Sequence, residues 1–217
     1  MLTELPPELE PITHGGFAFW SAVVSELREM RPAFLPRVMG ISYRHVAYRV
    51  YVRCHPPAGP PQPGLYFLRS DCDSHFVRLA GNALTDFRFR TAGIGIEDLA
   101  DRCTLRVVSS DAPAEAILDR HAPATLAAGS PFNSIEDAGS FLKYHPCGLA
   151  VPSSGQVALL RITRDEAAWR YRLMHVRHQE WGFFAGRDVQ AEICYEVKPI
   201  DYQWNRAVTI PVRPRTD

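Results

Sequence analysis

Lysine is almost missing from this chain. Of 24 basic residues, only Lys143 and Lys198 are lysines; the rest are arginines. That limits amine chemistry to two positions, because a guanidinium stays protonated and cannot attack a carbonyl. An excess of one charge is missing too: 24 basic residues face 24 acidic ones. This argues against a general nucleic-acid binder, whose affinity rests on a basic surplus. No run approaches the roughly 20 apolar residues of a membrane span. The opening MLTELPPELEP has neither the basic n-region nor the apolar stretch of a secretory signal. The five cysteines, Cys54, Cys72, Cys103, Cys147 and Cys194, are odd in number and form no CxxC pair. Free thiols in a reducing cytoplasm are the expectation.

What is present supports a folded core. Of 217 residues, 46% are hydrophobic and 22% charged, which is outside the disordered range. No linker demands a split, so 1–217 is expected to be a single domain. The dominant period is two. In HVAYRVYVRC (45–54), Val46, Tyr48, Val50 and Val52 share one face, and Ala47, Arg49, Tyr51 and Arg53 the other. This alternation of β-branched and aromatic residues predicts a strand. The proline-rich PPAGPPQPG (56–64) can form neither helix nor ladder. It joins that strand to LYFLRSD (65–71) as a hairpin. DSHFVRLA (73–80), 103–110, 156–164, 169–177 and 189–199 are read as further strands. GFAFWSAVVSELREM (16–30) fits either helix or strand.

Two helices are expected, a short one over Ala114–Arg120 and a second over Ile135–Lys143. For the second, Ser134 is a natural N-cap, and Ser-Ile-Glu-Asp resembles a capping box. Lys143 then falls at the negative end of the helix dipole, ahead of Pro146, and its charge needs no chemical role.

Several groupings were weighed for chemistry. Asp71, Asp73, His75 and His55 could meet across the turn as zinc or manganese ligands, although Asp is also an ordinary turn former. His145 and Cys147 could pair as base and nucleophile, although adjacency in sequence does not bring them into reach. His175 and His178 would point to opposite faces of a strand. No metal and no cofactor is expected.

The order of four stretches resembles a bacterial family of uncharacterised domains in the acetoacetate decarboxylase-like superfamily. They are RPAFLPRVMGISYRHVAYRVYVR (31–53), GLYFLRSDCDS (64–74), SIEDAGSFLKYHPCGLAV (134–151) and VRHQEW (176–181). The resemblance spans about 16–206. It implies an α+β fold, mainly antiparallel β: a cone-like β-barrel with a few outer helices and a cavity inside. Decarboxylases of that superfamily use a lysine pair to form a Schiff base. The segment that aligns with the pair here, NALTDFRFRTA (82–92), has no lysine and holds Arg88 and Arg90. Decarboxylase chemistry is therefore not expected; a cavity is.

Ligand-binding candidates are Arg49, Tyr51, Arg88, Arg90, Tyr144, His178 and Trp181. If the Arg49 face looks inward, Arg49, Arg88 and Arg90 could meet an anion, since guanidinium binds carboxylate bidentately. Three functions stay open: a domain binding a small anionic or carbonyl ligand, an enzyme using the same cavity, and a structural protein with a filled barrel. A small-molecule ligand and a homo-oligomer are the partners considered; nucleic acid and membrane are not expected.

Overall fold

The computed structural model describes residues 5–31, 34–85, 87–143 and 145–215. Three short strands open the chain, β1 (Glu10–Pro11), β2 (Thr13–His14) and β3 (Phe17–Ala18). Three long ones follow, β4 (Trp20–Met30), β5 (Ile41–Cys54) and β6 (Gln62–Cys72). Helix α1 (His75–Leu84) leads to β7 (Phe89–Thr91), β8 (Gly93–Asp98), β9 (Arg102–Val108) and β10 (Ala114–Asp119). Helix α2 (Ile135–Phe141) precedes β11 (Cys147–Ser153), β12 (Gln156–Arg164) and β13 (Tyr171–Trp181). The last strands are β14 (Cys194–Val197), β15 (Tyr202–Trp204) and β16 (Val208–Pro211).

One large sheet runs β1-β5-β6-β11-β12-β15, with β4 also on β5, β7 on β6 and β16 on β12. Only the pairings of β6 with β7 and with β11 are parallel. A second, antiparallel sheet runs β14-β13-β10-β9-β8. Arg120, just after β10, pairs with Asp98 of β8 and, at 2.8 Å, with Glu196 of β14. One side chain thus reaches both edge strands, so this sheet is strongly curled. Among the described residues no helix is long and apolar enough to cross a membrane.

The β5–β6 hairpin forms as its alternation predicts, and both faces of β5 are buried. Val46 and Tyr48 pack with Ala92, Ile94, Val107 and Ala114, which links the large sheet to the second one. Tyr48 stacks on Phe183 at 4.3 Å. Val50 and Val52 continue that face against Tyr66, Leu149 and Val157. The opposite face, with Tyr43, Ala47 and Tyr51, packs with Phe67, Phe132, Ala138 and Leu142, beneath α2. A bulge at Leu68 shifts the register, so that Tyr48 faces Arg69 while Arg49 faces Phe67. One extra residue thereby places Phe67 and Arg69 on opposite faces.

Several local expectations fail. Residues 73–80 are not a strand: Ser74 accepts a hydrogen bond from the Val77 amide and caps α1. Inside α1, Gly81 is needed for close approach, since a Cβ there would lie 2.5 Å from the Phe89 ring. Residues 114–120 are not a helix. Ala114, Ala116 and Leu118 are buried in alternation with Glu115 and Ile117, and β10 is paired on both edges. Tertiary pairing overrides the helix propensity of alanine and leucine. The ambiguous 16–30 stretch becomes β3 and β4, and of 189–199 only Cys194–Val197 is strand. Helix α2 has the expected Ser134 cap, which accepts from the Asp137 amide. It ends at Phe141 rather than Lys143.

Candidate functional site

The α2 face of β5 is buried but far from apolar. Arg49 is 4% exposed, donates from Nε to the Ser21 hydroxyl at 3.2 Å, and sits 5.8 Å over the Phe67 ring. Tyr51, two residues on, donates its hydroxyl to the Leu142 carbonyl at 2.7 Å. Tyr195 of β14 donates to the same carbonyl at 3.2 Å. A single acceptor just past α2 thus takes one phenol from each sheet. Tyr202 of β15 lies opposite Arg164 of β12 in register and is hydrogen-bonded to it. Burial pushes the phenols of Tyr195 and Tyr202 up, opposed by the charges of both Arg49 and Arg164. Two arginines from different strands therefore converge on one group of tyrosines. Buried cations of this kind are costly unless they are compensated.

Arg164 connects this interior to a pocket of about 200 Å³ lined by Ser140, Lys143, His145, Pro146, Arg164 and Glu166. Its guanidinium lies 3.8 Å over the Trp169 ring and donates from Nε to Glu166 at 2.6 Å. Lys143 reaches the other oxygen of Glu166 at 2.8 Å. The carboxylate thus bridges two cations. The Arg164 bond and then the Lys143 bond hold the Glu166 carboxyl below its usual range. Lys143, one residue past the Leu142 C-cap of α2, is held by this bridge. His145 is half-buried and packs edge-on to Tyr51 at 5.7 Å. Burial, and then the Arg164 charge, push its imidazole below the usual 6.5. Cys147 is no activated nucleophile, because burial pushes its thiol up. A second, larger hollow of about 410 Å³ is lined by Tyr66, Asn82, Thr85, Arg88 and Val151.

Residues 1–200 match a family, DUF2071, described as an uncharacterized conserved protein. The chain belongs to the DUF2071 family. No curated protein matches its sequence. Among solved structures, it is similar to the acetoacetate decarboxylase of Legionella pneumophila, with a TM-score of 0.54 and 12% identity over the whole of this chain and 79% of that one. A second structure, described as structural studies of acetoacetate decarboxylase, aligns with a TM-score of 0.42 and 13% identity over 89% of this chain and 86% of that one. The first likeness gives this DUF2071 chain an acetoacetate decarboxylase-like fold. The family match starts ahead of residue 16, where the sequence resemblance begins; the N-terminal segment is tied in by β1 pairing with Val52 and Arg53.

In this DUF2071 chain the sequence candidates scatter. Arg49 and Tyr51 lie together in the interior. Arg88 does not join them. Its backbone is left-handed, at φ 57°, and its guanidinium bonds the Tyr66 hydroxyl at 3.0 Å beside the larger hollow. Arg90 is directed away as well and pairs with Asp111. His178 is exposed on the second sheet, and Trp181 packs edge-on to Tyr48 at 6.2 Å. Tyr144 lies outside the described residues. The metal grouping does not assemble, since Asp71 pairs with Arg69 and His55 with Glu10. Among the described residues no cluster of three or more His, Cys, Asp or Glu could hold a metal. Sequence reading missed Glu166, Tyr195 and Tyr202 altogether. The one available signal was Arg164-Asp165-Glu166, a charge cluster where an apolar strand ends.

Proposed function

We propose that this protein binds a short carboxylate, with or without a neighbouring carbonyl, in the pocket between α2 and the end of β12. The observation that carries this reading is the pair Lys143 and Arg164 sharing the single carboxylate of Glu166 at the pocket wall. An anionic ligand in this pocket would meet the Lys143 ammonium and the Arg164 guanidinium together in a partly desolvated site, where such pairing is strongest. The volume of about 200 Å³ holds roughly six or seven water-sized groups at about 30 Å³ each. That size suits an acid of three to five carbons and excludes a nucleotide.

A second reading, an interior filled by its own side chains, is favoured by one fact: the Tyr51 and Tyr195 hydroxyls are both spent on Leu142. Thermal unfolding with acetate, pyruvate, 2-oxobutanoate, succinate and a chloride control separates the two. Stabilisation by at least one carboxylate, lost in Lys143→Gln and in Arg164→Gln, is expected. Lys143 is 43% exposed in its side chain, so Lys143→Gln should fold even if Arg164→Gln does not. Equal behaviour with carboxylates and chloride would favour the filled interior.

A further inference from the structure

We propose that His145 is a general base that removes a proton from the carbon beside the carbonyl of a short oxo-carboxylate; this rests on the carboxylate-binding reading of the same pocket. His145 stands between α2 and β11 and shares the pocket wall with Lys143, Arg164 and Glu166. The edge-on contact with Tyr51 fixes one side of the imidazole. Among the described residues neither ring nitrogen has a hydrogen-bond partner, and neither is sealed in the interior. A histidine kept only as a core residue would be expected to bond at least one nitrogen. This one is half-buried, positioned by a ring contact, and has both nitrogens available.

The neighbours decide which group acts as base. Lys143 is paired as an ammonium with Glu166 and in that form carries no lone pair. Cys147 stays a thiol. Glu166 is an anion, but two cations hold its oxygens and weaken it as a base. His145 differs from all three. Burial and the nearby guanidinium keep its ring neutral at pH 7, and a neutral imidazole has one free lone pair.

The step balances without a co-reactant. The C–H bond breaks and its electron pair forms the C=C bond of an enolate. The carbonyl π pair moves onto oxygen, and the proton goes to the imidazole nitrogen. The developing oxyanion lies near the cations of Arg164 and Lys143, where positive charge lowers the barrier. Return of a proton from the imidazolium restores the oxo acid. In D2O the imidazolium exchanges with solvent first, so deuterium returns to carbon.

The test follows that exchange by proton NMR, using the full chain with pyruvate or 2-oxobutanoate in D2O, and measures thermal stabilisation by the same acids in parallel. The wild type is expected to exchange the hydrogens beside the carbonyl faster than buffer. His145→Gln should slow this by about 100-fold or more while the acid still stabilises the variant. His145→Asn is a second variant should the first fail to fold. Borohydride treatment of the wild type with the same acid should trap no adduct on Lys143. Wild-type stabilisation without exchange, or exchange unchanged in both His145 variants, overturns the inference and leaves the binding reading standing. A borohydride-trapped adduct on Lys143 overturns it in favour of an amine. If no oxo acid stabilises the wild type, this inference falls, and the binding reading falls with it when acetate and succinate fail as well.

Discussion

The face of β5 with Val46, Tyr48, Val50 and Val52 and the face with Tyr43, His45, Ala47, Arg49 and Tyr51 are equally closed to solvent, yet they are filled differently. The first meets the second sheet at Val46 and Tyr48 and packs on β6, β11 and β12 at Val50 and Val52, with the buried Arg69–Asp71 pair of β6 beside it in register. The second packs under α2 but includes a guanidinium, an imidazole and two phenols. Apolar burial is favourable at about 25 cal/mol per Å². Burial of polar groups costs free energy unless each is bonded. The difference lies in the partners: Arg69 beside the first face is closed by Asp71 and Asp111, while Arg49 of the second bonds the Ser21 hydroxyl and lies over the Phe67 ring.

The largest effect should come from the apolar face. Tyr48→Ala removes a fully buried ring stacked on Phe183 and should cost about 3–5 kcal/mol in urea unfolding. A cost near 1 kcal/mol would mean that the sheets repack freely and that the two faces are less distinct than described.

The next effect depends on pH. Burial pushes His45 down from 6.5 to about 3, and its Nε2 has no partner. The sign follows from linkage. As pH falls below 6.5 the unfolded chain takes up a proton that the folded chain refuses, so stability present above 6.5 is lost towards about 3. The slope from this one group is at most about 1.4 kcal/mol per pH unit. His45→Phe should flatten that arm of a stability-against-pH curve. An unchanged slope between pH 6.5 and 4.5 would show that His45 is protonated in the folded state.

Tyr51→Phe removes one of two bonds to the Leu142 carbonyl and should cost about 0.5–1.5 kcal/mol; Tyr195 keeps the acceptor satisfied. A comparable effect is expected for Arg49→Met, which removes the Nε bond to Ser21 and the contact over the Phe67 ring and should cost about 1 kcal/mol. If Arg49→Met instead costs as much as Tyr48→Ala, the polar face is ordinary core.

Local chemistry explains what the sequence could disclose. The β5–β6 hairpin was legible because alternation persists over many residues and a proline-rich turn bounds it. Arg49 and Tyr51 were legible as a pair because a strand places alternate residues on one face. The DSHFVRLA segment was not, since eight residues with mixed polarity fit both periods, and the Ser74 cap settled the matter. The AEAILD stretch hid a strand behind good helix formers. An inward Arg49 face left room for Arg88 and Arg90 to join it, but β7 lies across β6 from β5, and the left-handed backbone at Arg88 directs its side chain elsewhere. The pocket drew on residues 140–166, and the tyrosines behind it on residues 51, 195 and 202. Nothing local in the sequence announces a meeting of positions that far apart.

The Leu142 carbonyl has a consequence for cooperativity. It receives Tyr51 from the large sheet and Tyr195 from the second, so the end of α2 behaves as a rivet through three layers. The sheets cannot part without releasing the helix, and the helix cannot fray at this end without loosening both sheets. Opening near residue 142 should therefore follow global unfolding in native-state hydrogen exchange rather than local fluctuation. The mouth of the pocket, which begins one residue later at Lys143, would then be anchored to one of the most slowly opening points in the molecule.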